Sequence, residues 1–144
     1  MERKLFSHFY QDTVRWGDCD QLGHLNNAAY MRLIESARLD YFFNILKIEL
    51  RPDSEQGWVM RGLNCEFNEQ LHYPTQLEIG TRFSKVGNSS AIIEAAIYRE
   101  GEEQPVFTAS VPSIWCNYKK GISARIPDFI RNAIKDYEVN VEGL

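Results

Sequence analysis

Apolar and polar positions follow two different periods along the chain, and the change of period separates one long helix from several strands. No proline or glycine interrupts residues 27 to 47. Apolar side chains fill more positions of that stretch than a single helical stripe would hold. We therefore predict a helix from Asn27 to about Lys47 that is buried on most sides, with Asn26 or Asn27 as its N-cap.

Shorter runs with a period near two, separated by turn residues, predict strands. The runs cover residues 7–15, 58–67, 76–86, 89–99 and 106–118. The last three are joined by short turns around Gly87 and Gly101 and predict an antiparallel meander. Pro112 lies inside the last run and cannot donate a ladder hydrogen bond, so we expect a bulge or an unpaired stretch there.

The order of these elements predicts an α+β domain in which a curved sheet of about five strands covers one long helix. Pro127 indicates the start of a C-terminal helix that reaches about Tyr137. No linker or repeat divides residues 1–144, so we expect a single domain. Its exposed sheet edges favour pairing with a second copy, as in a homodimer.

Composition narrows the classes of function. The chain is 44% hydrophobic with a net charge of −4, and its sixteen basic residues are scattered. This composition argues against a nucleic-acid partner, and the lack of a long apolar run argues against a membrane span. Three cysteines without CxxC spacing indicate neither a disulfide framework nor a zinc site and suit a reducing cytoplasm.

Candidate chemistry is concentrated just before the long helix. The residues are two carboxylates, an imidazole and two amides: Asp18, Asp20, His24, Asn26 and Asn27. A helix start offers free backbone N–H groups and the positive end of the helix dipole, so this junction can hold an anion. The alternative is that these side chains only satisfy turn and cap hydrogen bonds.

The run DCDQLGHLNNAAYMRLIESAR resembles the signature of hotdog-fold acyl thioesterases of the 4-hydroxybenzoyl-CoA thioesterase group. The similarity extends over residues 8–130 and includes Tyr73-Pro74 and Ile126-Pro127. It implies a hotdog fold and hydrolysis of acyl-CoA or acyl-carrier-protein thioesters without a cofactor. It also implies a homodimer or homotetramer with clefts at the subunit interfaces.

The same resemblance implies roles for individual residues. The family's catalytic aspartate corresponds to Asp20, and the helix-start N–H that faces the thioester carbonyl corresponds to Asn27. The spacing Asp-x-x-x-His-x-Asn-Asn also resembles plant-type acyl-carrier-protein thioesterases. Those enzymes carry a further asparagine where this chain has Leu22, so only Asp20 and assistance by His24 are carried over.

Substrate contacts are expected at two further places. Tyr30 would help to shape the acyl cleft. Lys85, Asn88 and Ser89 lie around a turn that the family often sets near the pantetheine entrance, although the same residues also suit an ordinary polar hairpin.

Several alternatives remain open at this point. Cys19 is flanked by two carboxylates that oppose thiolate formation, and the cluster lacks a fourth ligand at a metal-binding spacing. Glu35 would pair with Arg32 or Arg38 along the helix, although a carboxylate on this helix works in some related folds. A non-hydrolytic acyl-CoA-binding protein is the main rival to a thioesterase. A hydratase ranks last, because its Asp and His would have four intervening residues rather than three.

Overall fold

The chain forms one antiparallel sheet and two helices, as a computed structural model of residues 1–144 shows. The elements are β1 (His8–Thr13), α1 (Asn27–Asn44), β2 (Gln56–Met60), β3 (Asn64–Phe67), β4 (Gln76–Val86), β5 (Ser90–Arg99), β6 (Phe107–Asn117), β7 (Ile122–Ser123) and α2 (Asp128–Tyr137). The strand order is β1-β4-β5-β6-β2, and β3 and β7 also pair with β6. The α+β class, the meander and the C-terminal helix are thereby confirmed, with two strands more than the predicted five.

The long helix α1 begins where predicted and ends three residues early. The Asn26 side chain accepts a hydrogen bond from the Ala28 N–H (2.9 Å), which makes Asn26 the N-cap. Lys47 has a φ of 59°, in the left-handed region, and the Ile48 N–H donates to the Phe42 carbonyl (3.1 Å). This reversal satisfies a carbonyl of the last turn and ends the helix before Lys47.

The prediction that α1 is buried on most sides is wrong for the single chain. The helix packs on β4, β1 and β5. Its buried stripe comprises Ala29, Tyr30, Leu33, Ile34, Ala37, Tyr41 and Phe42. The opposite stripe, which includes Arg32, Glu35, Leu39 and Phe43, is exposed. One sheet covers one side of the helix, and nothing in this chain covers the other.

Residues 58–67 contribute to two short strands rather than one. β2 pairs with residues 113–117 of β6 and β3 with residues 107–110, and the register shifts by one residue between them. At this point the Pro112 carbonyl accepts from the N–H groups of both Arg61 (2.8 Å) and Gly62 (3.3 Å). The irregularity predicted at Pro112 is therefore present, but it is the break between β2 and β3 on one side of β6. On the other side, the pairing of β6 with β5 continues through Pro112.

The N-terminal segment covers part of the sheet face that points away from α1. Phe6 packs there with Ala96 and Tyr98 in a small apolar cluster that is separate from the main core. Gly80 makes room for it, since a Cβ at Gly80 would lie 2.7 Å from the Phe6 ring. Arg3 stacks 4.8 Å above the Tyr98 ring. The first six residues are thus an integral part of the fold.

At the other end of the chain, a buried carboxylate fastens α2 to the core. Glu138 directly follows α2 and is only 7% exposed. Its Oε1 accepts hydrogen bonds from the Tyr41 hydroxyl (2.7 Å) and the Phe83 N–H (3.2 Å). Burial raises the pKa of Glu138 above its ordinary value, although these hydrogen bonds and the Arg82 charge oppose the shift. Neither helix is long and apolar enough to cross a membrane.

Candidate active site

A small closed loop before α1 determines where Asp20 points. Cys19 and Leu25 form an isolated antiparallel bridge, and the Asp20 N–H donates to the His24 carbonyl (2.8 Å). Gly23, with a φ of 79°, supplies the left-handed residue that closes the turn. The loop is pinned to the helix start because the Asn26 N–H donates to the Asp18 carbonyl (2.8 Å).

The Asp20 carboxylate has one fixed oxygen and one free oxygen. Oδ1 accepts from the N–H groups of Leu22 (2.8 Å) and His24 (3.1 Å). Oδ2 has no partner in the chain. The residue lines a cleft of about 440 Å³ together with Trp16, Gly17, Cys19, Gly23 and Tyr73. The turn therefore orients the carboxylate and leaves it able to accept a proton or attack an electrophile.

The neighbouring Asp18 has a structural role. Its Oδ1 accepts a hydrogen bond from Arg32 Nη2 at 2.7 Å, which ties the loop to the first turns of α1. This contact corrects the expectation for Glu35, which forms no ion pair with Arg32 or with Arg38. Arg32 pairs instead with Asp18, which lies fourteen residues before Arg32 in the sequence. A rule based on helical spacing cannot predict a pair between the helix and a preceding loop.

The start of α1 offers one free donor. The Ala28 N–H is taken by the Asn26 side chain, and the Ala29 N–H by the Asn26 carbonyl (2.8 Å). The Asn27 N–H has no partner in the chain. The residues that line the cleft around Asp20 do not include Asn27. The free donor and the free carboxylate oxygen thus lie on the same loop-helix junction without sharing one pocket of the single chain.

The His24 ring packs against another histidine, and only the backbone of His24 bonds Asp20. Its ring meets the His72 ring edge to face, with centroids 4.9 Å apart, and the two residues form an isolated backbone bridge. The Nδ1 atom of His72 lies 3.2 Å from the Gly23 carbonyl. Sequence reasoning missed His72, because only the pairing of two distant loops brings it to this site.

Tyr30 lies in the core rather than in a cleft. It is 2% exposed, and its ring packs on Phe67 and Phe107 at centroid distances of 5.0 Å each. Burial raises the pKa of its hydroxyl. The single chain therefore gives Tyr30 no direct path to a substrate.

The residues predicted near the pantetheine entrance lie at the far end of the sheet from Asp20. Lys85 lines a groove of about 210 Å³ with Arg61, Ser90, Ile92, Pro112 and neighbouring residues. Asn88 and Ser89 form the adjacent turn, and their carbonyls accept from the N–H groups of Ile126 (2.9 Å) and Trp115 (2.8 Å). Arg61, which sequence reasoning did not single out, adds a second cation because the break between β2 and β3 brings it to this groove.

Asp20 and Lys85 are separated by the length of β4. The Asp20 cleft includes Tyr73, just before β4, whereas Lys85 is the second-last residue of that strand. Lys85 lies nine positions after the first residue of β4, which corresponds to about 30 Å along an extended strand. The cleft and the groove share no lining residue.

No three His, Cys, Asp or Glu side chains lie close enough together to hold a metal ion. The chemistry that the chain offers here is therefore that of a carboxylate, two imidazoles, a free main-chain N–H and, at a distance, two cationic side chains.

Known proteins resemble this protein over most of its chain. Residues 14–134 match the family profile of the thioesterase-like superfamily. The protein YsmA of Bacillus subtilis (strain 168) is 27% identical over 117 residues, which cover 81% of this chain and 77% of YsmA.

Solved structures share the architecture. A thioesterase from Thermus thermophilus, complexed with coenzyme A and zinc, is 26% identical with a TM-score of 0.79 over 94% of this chain and 96% of that one. The PA5185 protein of Pseudomonas aeruginosa strain PAO1 has a TM-score of 0.88 at 23% identity over 98% of both chains, which shows a shared fold. The hotdog arrangement implied by the resemblance is confirmed. The chain belongs to the thioesterase-like superfamily.

Proposed function

We propose that this protein is an acyl thioesterase that hydrolyses an acyl-CoA or acyl-carrier-protein thioester to a free acid and a thiol. The observation that carries the proposal is the Asp20 carboxylate. Two backbone N–H groups hold its Oδ1, and its Oδ2 stays free in a cleft of about 440 Å³. A carboxylate that is both fixed and unpaired is ready to act on a bound thioester.

Asp20 can act in either of two ways that give the same products. As a nucleophile, Oδ2 attacks the carbonyl carbon, the C–S bond breaks and the thiolate leaves; water then hydrolyses the mixed anhydride. As a general base, Oδ2 takes a proton from a water molecule whose oxygen attacks that carbon, after which the C–S bond breaks and the thiolate leaves. Both routes place negative charge on the carbonyl oxygen in the transition state.

The donor that we propose for that charge is at the start of α1, which adjoins the Asp20 loop but does not line its cleft in the single chain. The Asn27 N–H has no partner in the chain, and the helix dipole adds positive potential at the same end. We assign His24 an assisting role, in which its ring orients a water molecule or donates a proton to the leaving thiolate. Its contact with His72 would hold the ring in place.

Two observations support coenzyme A as the carrier of the acyl group. The Thermus thermophilus relative is a thioesterase complexed with coenzyme A. In this chain, Arg61 and Lys85 line one groove, and these two cations would suit the phosphates of the nucleotide if Lys85 exchanged its exposed partner Glu142 (3.6 Å) for them. Asn88 and Ser89 border that groove, while Tyr30 would support the acyl site from the core.

The separation of Asp20 and Lys85 supports a site built by two copies of the chain. One substrate would otherwise have to follow β4 for about 30 Å between two pockets that share no residue. In a homodimer or homotetramer, Asp20 of one copy and Lys85 of another can lie at one cleft. The three free cysteines suit a cytoplasmic location for this assembly.

Release of free thiol from a panel of acyl-CoAs and acyl-carrier proteins tests the proposal. Asp20→Asn should lower the rate by at least about 100-fold. Because Asn keeps an oxygen that can accept from the Leu22 and His24 N–H groups, the loop should survive. Asp18→Asn, in the adjacent carboxylate, is the matched control and should stay within about threefold of the parent rate.

Activity of a folded Asp20→Asn protein within a few-fold of the parent would refute the assignment of Asp20. If acyl-CoA raised the melting temperature but released no thiol over hours, the chain would instead be a non-hydrolytic acyl-CoA-binding protein.

A further inference from the structure

Two aromatic residues beside Asp20 are left largely in solvent. Trp16 is 77% exposed and Tyr73 53%, and both line the cleft that contains Asp20. The other two tryptophans, Trp58 and Trp115, are only 6% and 3% exposed. Tyrosine and tryptophan are enriched where proteins bind other molecules, because their rings combine a large apolar surface with a polar group. Two exposed rings beside one carboxylate therefore indicate a binding surface.

Main-chain pairing sets these two residues on facing segments. The antiparallel pairing of β1 with β4 extends beyond the strand ends, because the Val14 N–H donates to the Thr75 carbonyl (2.9 Å). Trp16 follows this hydrogen bond by two residues and Tyr73 precedes it by two, so the two residues face each other across the end of the sheet. Their rings do not stack on each other, and the cleft of about 440 Å³ that both line is open to another group.

The backbone holds both residues in place before a ligand binds. Trp16 begins a 3-10 helical turn in which the Cys19 N–H donates to the Trp16 carbonyl (3.2 Å). On the facing segment, the Thr75 hydroxyl donates to the His72 carbonyl (2.6 Å), directly before Tyr73. A ligand would therefore meet two aromatic residues whose backbone loses little freedom on binding.

The charge of the cleft selects the class of group that fits beside these rings. Six residues line the cleft, and the only charged side chain among them is that of Asp20. A carboxylate or phosphate on the ligand would be repelled by Asp20 and would find no cation there. An uncharged apolar group avoids this repulsion and gains free energy by covering the aromatic surface.

We propose that Trp16 and Tyr73 determine substrate specificity by binding an uncharged apolar acyl group between them, with the thioester carbonyl at Asp20. This inference rests on the proposed thioesterase function and names the class of acyl group that the enzyme takes. Alkyl and aromatic acyl groups share the required chemistry. Acyl groups that are very short, such as acetyl, or that carry a carboxylate, such as succinyl, lack it.

Kinetics of Trp16 variants on octanoyl-, benzoyl-, acetyl- and succinyl-CoA test the inference. Trp16→Ala should raise KM for octanoyl- and benzoyl-CoA by at least about tenfold and for acetyl-CoA by less than about twofold, with little change in kcat. The larger of the first two effects identifies an alkyl or an aromatic acyl group. Trp16→Phe keeps a ring and should recover most of the loss. Phe129→Ala is the matched control, because Phe129 is an exposed aromatic residue on α2, outside the cleft, and it should change nothing.

Tryptophan fluorescence gives a second measurement that needs no turnover. Because Trp58 and Trp115 are buried, Trp16 accounts for most of the quenching of this fluorescence by acrylamide. Octyl-CoA, a thioether that cannot be hydrolysed, should lower the quenching constant of the parent chain by about twofold or more, because it covers the indole. Coenzyme A without an alkyl group should leave the constant nearly unchanged.

Three results would overturn the inference. They are an equal rise in KM for acetyl- and octanoyl-CoA in Trp16→Ala, which would place the ring on the pantetheine arm, a parent chain that hydrolyses succinyl-CoA best, and no protection of the fluorescence by octyl-CoA. Circular dichroism of each variant establishes folding independently.

The two measurements also separate this inference from the proposed function. Protection by octyl-CoA in a parent chain that hydrolyses none of the four thioesters would remove the enzyme assignment and leave the apolar acyl site standing. Hydrolysis by the parent chain with an equal effect of Trp16→Ala on every thioester would do the opposite.

Discussion

Replacement of Tyr41 by phenylalanine should destabilise the fold by an amount that depends on pH. The Tyr41 ring is fully buried against His8, Phe83 and Tyr137. Phenylalanine keeps this packing and removes only the hydroxyl, which donates to Glu138 Oε1 at 2.7 Å. Glu138 then retains one donor, the Phe83 N–H, while its Oε2 is already buried without a partner. The substitution therefore isolates one hydrogen bond to a buried carboxyl group.

The magnitude follows from the charge state of Glu138. A hydrogen bond to a charged group contributes about 2 kcal/mol. For a chain of this length, 1 kcal/mol shifts the melting temperature by about 3 °C, so Tyr41→Phe should lower it by about 6 °C at a pH where Glu138 is ionised.

The direction of the pH dependence follows from the raised pKa of Glu138. Between the ordinary pKa of a glutamate and this raised value, the folded chain binds one more proton than the unfolded chain. The contribution of Glu138 to the free energy of unfolding is therefore fully present at low pH, and it is lost as the pH rises through the pKa that Glu138 has in the folded chain. The hydrogen bond from Tyr41 opposes the shift, so its removal raises the pKa of Glu138 further. The loss in Tyr41→Phe should accordingly be larger at pH 7 than at pH 5.

Thermal melts followed by circular dichroism across this pH range are the assay, with Glu138→Gln as the partner in a double-mutant cycle. In the Gln background, Tyr41→Phe should have a smaller effect that no longer varies with pH. A loss below about 1 °C at every pH, or an equal loss in both backgrounds, would show that the Tyr41–Glu138 contact contributes no charge-dependent stability.

Two other substitutions test the packing of Phe6 against Gly80 and the proposed phosphate contact of Lys85. Gly80→Ala should push Phe6 out of its site and lower the free energy of unfolding by about 1 to 3 kcal/mol in urea denaturation. Gly17→Ala is the control and should have little effect, because Gly17 has open space around it. Equal stability of the two variants would contradict the packing role of Gly80. Lys85→Gln should raise KM for an acyl-CoA by about tenfold with little change in kcat. The same variant should hydrolyse an acyl-N-acetylcysteamine, which lacks the nucleotide phosphates, as the parent does. Equal effects on both substrates would argue against a phosphate contact.

Features governed by nearby residues were predictable from the sequence. The start of α1 was placed correctly because an asparagine cap bonds the backbone N–H two residues after it. The meander was predictable because short turns around Gly87 and Gly101 force adjacent runs to pair. The fixed oxygen of Asp20 reflects the same kind of local rule, since an aspartate in a turn bonds the N–H groups that follow it.

Features governed by distant residues were not predictable. The strand expected over residues 58–67 divides because its irregularity is set by Pro112 on the facing strand. Glu35 remains unpaired because Asp18 takes Arg32. His72 joins His24 through a bridge between loops almost fifty residues apart. Tyr30 could face a cleft or the core on periodicity alone, and only the aromatic rings of Phe67 and Phe107 place it in the core.

The length of β4 has a genetic consequence. If a working site takes its carboxylate from one copy and its cation from another, two substitutions at opposite ends of this strand can fall in the same site of a mixed dimer. In a mixed pair of Asp20→Asn and Lys85→Gln chains, one site collects both lesions and the other collects neither. Two individually impaired alleles of this protein would then complement each other, whereas two lesions at the same end of β4 would not.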